Sequence, residues 1–478
     1  MANQAWIGLD AGTTGVTAVL FDNELRLLAR SYRAFDQHFP QPGWVEHEAV
    51  EILAAVDAVL AEVLSEHDPD TVAGLGITNQ RETVFAFGPD GGALARGIVW
   101  QDRRTAERCA ELVEHTDDVR RLTGLPLDPY FSATKIEWLR ASDARLAADD
   151  VRFGTVDALI VQHLTGAFAT DPTNASRTLL FDLEARDWSP ELCALFGVRP
   201  EQLPEVRPSS GEFGSWRGIP VRGVAGDQQA ALFGHGGFDA GAAKCTFGTG
   251  TFLLVNHGPV RPVAPAGLLT TLAVGPTGEA VYAVEGSVFM GGAIVQWLRD
   301  QLGLIETSEE SESLAASVPD TGGVTLVPAF TGLGAPYWDP EARAALLGMT
   351  RGSGRAHIVR AGLEAIAFQN AVLVELLRER ADAGISELLV DGGAAANDLL
   401  MQLQADFAGL VVRRPPAVEA TARGAAALAA LGSGAWDAGR VPPGLREDAE
   451  RFEPQLAEPE RRARLATWDA AVARVRTR

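Results

Sequence analysis

Cysteine is nearly absent from this chain: Cys109, Cys193 and Cys245 are the only three in 478 residues. Their odd number and wide spacing, with no CxxC pair, exclude a disulfide framework and a zinc site. The expected compartment is a reducing, cytoplasmic one. Lysine is scarcer still, with Lys135 and Lys244 standing alone among 41 basic residues. Neither lies in GxxxxGK[ST], which excludes a Walker-type phosphate loop, and the loop, lysine and HRD set of protein kinases is missing too. No apolar run approaches the ~18 residues that a membrane-crossing helix needs. Residues 1–4 carry no basic stretch ahead of a long apolar one, so no secretory leader is expected. Positive charge is short overall, at a net −22. That balance disfavours nucleic acid and anionic membrane as partners. An anionic ligand would have to be held by local donors and a metal ion.

What the chain does have is a glycine-threonine turn that occurs twice. The first copy, Asp10-Ala11-Gly12-Thr13-Thr14-Gly15, joins the strand-like runs Trp6–Leu9 and Val16–Phe21. The second, Phe247-Gly248-Thr249-Gly250-Thr251, joins Cys245–Phe247 to Phe252–Val255. Such a turn aims backbone N–H groups at an anion, and its threonine hydroxyls add donors. Two of them facing each other could grip a triphosphate from both sides. The length suits two domains. We place the boundary in the glycine-rich stretch near residue 235, giving lobes 1–235 and 236–478.

Hydrophobic periodicity organises the rest. Helical spacing is expected over Glu46–His67, from about Asp102, over Lys135–Arg140, Gln228–Phe233, His357–Ala383, Asn397–Phe407 and Thr421–Leu431. Strands are expected at Leu27–Arg33, Val72–Thr78, Thr83–Phe87, Gly97–Trp100, Val221–Ala225, Glu387–Val390 and Leu410–Arg413. The charged tail after Pro442 reads as a surface helix. Strands alternating with helices indicate an α/β fold in layers.

Several residues could carry chemistry, and each has a plainer structural alternative. Asp10 could hold Mg²⁺ while Thr13 and Thr14 donate to phosphate; it could equally close an Asx turn. Asp391-Gly392-Gly393-Ala394 with Asn397 could let a flat ligand approach the backbone, or be a tight strand-to-helix loop. Asp227, at a strand end and helix start, could accept a proton from an attacking hydroxyl, or cap the helix. Arg81-Glu82 could clamp neighbouring hydroxyls of a polyol, or form a solvated surface pair. Trp100, Tyr130 and Phe252 could wall a small carbon skeleton, or belong to the core.

Longer strings then carry a resemblance. Gly76-Ile77-Thr78-Asn79-Gln80-Arg81-Glu82-Thr83, Ile98-Val99-Trp100-Gln101, Asp128-Pro129-Tyr130-Phe131-Ser132, Thr173-Asn174-Ala175-Ser176-Arg177-Thr178 and Gly226-Asp227-Gln228-Gln229-Ala230-Ala231-Leu232-Phe233-Gly234 resemble the FGGY carbohydrate kinases. Within that family the likeness is to members acting on glycerol, and it runs from about residue 5 to about 435. It implies two ribonuclease-H-like lobes of the actin, hexokinase and Hsp70 type flanking an ATP cleft. The implied reaction is Mg·ATP-dependent phosphorylation of glycerol to sn-glycerol 3-phosphate. By resemblance, Asp227 is the catalytic base. Arg81, Glu82, Trp100, Tyr130, Asp227, Gln228 and Phe252 bind the polyol. Thr13, Thr14, Thr249, Gly292, Gln296, Gly393 and Asn397 bind the nucleotide, and Asp10 lies at the metal. A homodimer or homotetramer is implied as well.

Two departures stand out. Ala11 and Thr17 occupy positions where glycerol-acting members carry glutamine and a basic residue, and Glu212–Gly218 is short in a region that carries regulatory contacts elsewhere. Two rival readings remain open: an FGGY kinase for a pentulose or longer polyol, and a non-catalytic nucleotide-dependent sensor of the same fold group.

Overall fold

A computed structural model describes residues 4–380, 384–416, 419–436, 445 and 449–477. Two mixed sheets within it follow the same chain path. In the first, the strands run Leu27–Ala34, Gly15–Phe21, Ala5–Ala11, Val72–Asn79, Ile219–Gly226 across the sheet, with Gly214–Trp216 beyond the last. The first three are antiparallel neighbours, and the next two lie parallel to Ala5–Ala11. In the second, Ala280–Val288, Thr251–Gly258, Ala243–Phe247, Glu387–Asp391 and Val411–Arg414 repeat that order and those directions. Leu269–Val274 and Glu450–Phe452 extend its two edges. This is the doubled ribonuclease-H-like architecture that the resemblance implies.

The path follows from the sequence. Each glycine-threonine turn is too short for a crossover, so the strands it joins must be antiparallel. The parallel strands are reached through helices, as a parallel pair requires. Strands Ala5–Ala11 and Gly15–Phe21 are apolar on both faces and buried throughout except for Asp10, as expected of strands covered on both sides.

A four-stranded sheet of Glu46–His47, Gly97–Ile98, Val84–Phe87 and Arg152–Thr155 is inserted in the first half. With helix Ala133–Ser142 it builds a separate core around Tyr130, Phe131, Phe153 and Phe196. Trp100 and Tyr130 of the candidate site pack on this insert, while Phe252 comes from strand Thr251–Gly258 of the second sheet.

The two halves exchange helices. Ala420–Gly432, from the second half, lies on the first sheet. A Cβ at Gly8 would fall 1.9 Å from the carbonyl oxygen of Ala422, and one at Gly76 1.8 Å from that of Ala425. Helix Asp227–Gly234, from the first half, packs Leu232 into an apolar cluster with Leu254, Ala273, Val281 and Ala283 of the second. The two helices also cross each other, Gly424 meeting the Ala230 carbonyl and Gly234 that of Ala420. The expected strand-helix pattern is found, with some corrections. The helix expected from Asp102 begins at Ala106, because Asp102 is fully buried and accepts hydrogen bonds from Val45 N and the Arg104 guanidinium. Of Gly97–Trp100, only Gly97–Ile98 joins a ladder. The tail helix, Glu458–Ala473, is a surface helix on one side only. Its Leu465, Trp468 and Val472 are buried, and Trp468 stacks on Phe368 at 5.4 Å. His357–Ala383 is helical over Arg355–Arg380, its last three residues lying outside the described ones. No described helix is long and apolar enough to cross a membrane, and all three cysteines are free and buried.

Candidate active site

Three carboxylates stand at or beside the ends of parallel strands: Asp10 in Ala5–Ala11, Asp227 after Ile219–Gly226, and Asp391 ending Glu387–Asp391. Sheet topology alone brings such positions to one crevice. Burial raises the Asp10 pKa well above the usual carboxylate value, and the negative charges of Asp227, Glu419 and Asp391 raise it further. Its Oδ1 is buried without a hydrogen-bond partner. Asp391 behaves oppositely: burial pushes its pKa up, but Lys244 and His235 outweigh burial and hold it at about 2. His235 Nε2 lies 2.7 Å from Asp391 Oδ2.

The first cradle is braced from behind. Gly12 N–H donates to the Gly15 carbonyl at 3.0 Å, closing the turn. Gln80 Nε2 donates to the Gly12 carbonyl at 3.0 Å and Gln37 Nε2 to the Thr13 carbonyl at 3.1 Å. With these carbonyls fastened inward, Thr14 remains exposed at the tip. Thr17 pairs with Asp10 across the ladder and is buried.

Beside this turn the polyol candidates converge. Arg81 and Glu82 are almost wholly buried, which rules out the solvated surface pair. Arg81 Nε lies 3.3 Å from Asp227 Oδ1 and 3.9 Å from Glu82 Oε1. Glu82 sits at a φ of 64°, a left-handed backbone that an ordinary residue enters at a cost of order 1–3 kcal/mol and that clusters at functional sites. Burial raises its pKa despite the opposing pull of Arg81 and Arg177. Trp100 meets Tyr130 and Phe252 edge-on at 5.7 and 6.0 Å, and its indole N–H donates to Thr13 Oγ1 at 3.1 Å. The aromatic wall is thus tied directly to the phosphate turn. Asp227 is the first residue of its helix, with Gly226 as the cap, and its Oδ1 accepts the Gln228 N–H at 2.7 Å. Gln228 Oε1 accepts a hydrogen bond from Lys244 Nζ, and burial pushes the Lys244 pKa down.

On the second lobe, a cavity of about 420 Å³ gathers five candidate nucleotide residues, Thr249, Gly292, Gln296, Gly393 and Asn397. Nothing lies within 4 Å of the Cβ position at Gly393, while Gly392, at a φ of 89°, presses on the Phe247 carbonyl. The paired glycines therefore divide the work: one permits tight packing and the other leaves an open wall. Asn397 caps helix Asp398–Ala408, its Oδ1 accepting the Leu400 N–H at 2.8 Å.

Sequence reasoning missed Glu285, Arg177 and Lys244. Glu285 is fully buried on strand Ala280–Val288 and takes both ends of the Arg81 guanidinium, at 2.6 and 3.0 Å. Arg177, also fully buried, joins Glu82 at 2.6 Å and Glu285 at 3.0 Å. Strand Ala280–Val288 was itself unread, though the turn Gly275-Pro276-Thr277-Gly278 between two β-branched runs is a hairpin signal. A lone acid inside such a strand asks for a buried partner.

Residues 5–234 match the N-terminal domain, and residues 243–433 the C-terminal domain, of the FGGY family of carbohydrate kinases. The chain is 49% identical to the glycerol kinase of Aromatoleum aromaticum, over 98% of each chain. The crystal structure of Plasmodium falciparum glycerol kinase with ADP superposes with a TM-score of 0.91 at 34% identity, covering 99% of this chain and 98% of that one. A ligand-bound xylulose kinase from Lactobacillus acidophilus superposes at 0.87 with 21% identity, over 98% and 97% of the two chains. That last likeness speaks to the fold alone.

Proposed function

The chain belongs to the FGGY family of carbohydrate kinases, and on that footing we propose that it transfers the γ-phosphoryl group of ATP to a terminal hydroxyl of glycerol, giving sn-glycerol 3-phosphate. Likeness to glycerol kinases over the whole length supports the substrate. The observation that carries the reading is the position of Asp227, 3.3 Å from the buried Arg81 guanidinium and on the electrostatic horizon of Asp10. In this reading glycerol lies against Trp100, Tyr130 and Phe252. Its hydroxyls meet Arg81, Glu82 and Gln228. The attacking oxygen forms its bond to the γ-phosphorus as the bond to the bridging oxygen breaks. ADP leaves with that oxygen, and the hydroxyl proton passes to Asp227. Positioning and charge neutralisation supply most of the rate in such transfers.

ATP spans both turns, with Thr13 and Thr14 on one side, Thr249 on the other, and the adenosine in the cavity bounded by Gly292, Gln296, Gly393 and Asn397. A Mg²⁺ ion suits the pocket at Asp10, whose orphaned carboxylate oxygen and neighbouring acids favour a hard cation. Among the described residues no three acidic, histidine or cysteine side chains already converge on a metal position, which fits an ion completed by water and phosphate oxygens. Such an ion neutralises phosphate charge that Thr17 cannot. We also propose lobes 1–235 and 236–478 closing about the stretch near residue 235 to exclude water, a homodimer or homotetramer, and a cytoplasmic setting. The resemblance and, for the last, the unpaired buried cysteines support these.

The test is Mg·ATP-dependent ADP release across glycerol, erythritol, ribitol, xylulose, ribulose and gluconate. Glycerol is expected to be strongly preferred. Preference for a larger sugar would remove the substrate assignment, and ATP binding without turnover would favour a sensor.

A further inference from the structure

Beneath the polyol candidates lies a closed ring of charge. Arg81 and Arg177 alternate with Glu82 and Glu285, all four buried. Two positive and two negative charges cancel, leaving Asp227 as the surplus anion at the ring's solvent-touching edge. Three members come from the first half of the chain. Glu285 alone comes from the second, 204 residues beyond Arg81. Ser287 Oγ donates to Glu285 Oε1 at 2.9 Å, fixing the carboxylate on its strand. Although burial works against ionisation, Arg177 and Arg81 hold the Glu285 pKa at about 2, so Glu285 stays charged at neutral pH.

We propose that Glu285 is a positioning residue for the polyol site: from the second lobe it fixes both Nη groups of Arg81, so that Arg81 meets Asp227 through its Nε edge alone and does not close a two-point ion pair on it. The geometry supplies the reason. Glu285 occupies Nη1 and Nη2 of Arg81, leaving the Nε edge toward Asp227 and Glu82. Without the Glu285 charge, the two buried guanidiniums would keep Glu82 and Asp227 as their anionic partners, with Gln229 Oε1 3.3 Å from Arg81 Nη1. Buried charges left unmatched are strongly unfavourable, and Arg81 would relax by turning its Nη groups to Asp227, tightening the single Nε contact at 3.3 Å into a two-point pair. That turn would withdraw the guanidinium from the polyol and cover the Asp227 carboxylate. Arg177 Nη1, buried and without a partner, shows that the ring already lacks acceptors.

This inference rests on the polyol-kinase reading, and the experiment separates the two. Wild type is first run on the substrate panel, and the preferred polyol is carried forward whichever it is, so a failed glycerol assignment leaves the Glu285 test standing. In Glu285→Gln, the KM for polyol is expected to rise about tenfold or more, the scale of losing a charged hydrogen-bond partner. The KM for Mg·ATP should stay within about twofold. Glu285→Asp, which keeps the charge, should recover part of the polyol affinity. An unchanged polyol KM, or an equal rise in both KM values, overturns the proposal. Should Glu285→Gln fail to fold, Ser287→Ala decides: it loosens the carboxylate and should raise the polyol KM about threefold, the scale of one neutral hydrogen bond. An unmoved polyol KM there overturns it equally.

Discussion

At the scale of single residues, Asp227 has what a proton acceptor needs. Its side chain is about 29% exposed, in contact with solvent yet held by the Gln228 N–H and flanked by Arg81. Replacing it by asparagine keeps shape and volume and removes the basic oxygen. We expect Asp227→Asn to lower kcat by roughly 10²–10⁴-fold, the range of a lost general base, while nucleotide affinity measured by calorimetric titration stays near wild type. Near-normal turnover would show that the proton leaves by another route. The turn before Thr17 is held by Gln37, Gln80 and Trp100, so its amides are preorganised without a neighbouring cation.

At the scale of elements, the decisive contacts are backbone against backbone. Helix Ala420–Gly432 sits on the first sheet because Gly8 and Gly76 present no side chain to it. A methyl group at Gly76 would lie 1.8 Å from the Ala425 carbonyl oxygen, a separation only main-chain movement can relieve. Gly76→Ala is therefore expected to cost about 2–4 kcal/mol, the upper part of the range for overpacking, read as a lower urea midpoint with an unchanged m-value. A midpoint unaltered within error would mean the helix is not seated there. These elements also show what sequence can reveal. The strand ends, turns and helix start that carry both glycine-threonine turns, Asp227 and the Arg81-Glu82 pair were legible because each is a short string with a local meaning, whereas a role in a site for them came from the family resemblance. Glu285 was not, since its role is defined by partners at positions 81 and 177. The tail helix was misjudged for a similar reason: its charge is real, but the face bearing Trp468 is covered by Phe368, a neighbour only in three dimensions.

At the scale of the whole molecule, the exchanged helices make each half depend on the other. Trp6, Val19 and Phe21 of the first sheet share a core with Ala422, Ala426 and Leu428 from the second half, while Leu232 from the first is buried among second-half strands. The charge ring adds a polar tie through Glu285. Neither sheet is closed on that side by its own half. Splitting the chain near residue 235 would expose both apolar faces and leave buried arginines short of a carboxylate, costs that exceed the marginal stability of an ordinary domain, about 5–15 kcal/mol. The two halves are therefore expected to unfold as one. Differential scanning calorimetry should give a single transition with calorimetric and van't Hoff enthalpies close to equal, moving upward as a unit when nucleotide binds. Two resolved transitions, with only one shifted by nucleotide, would mean that the helix exchange does not couple the lobes.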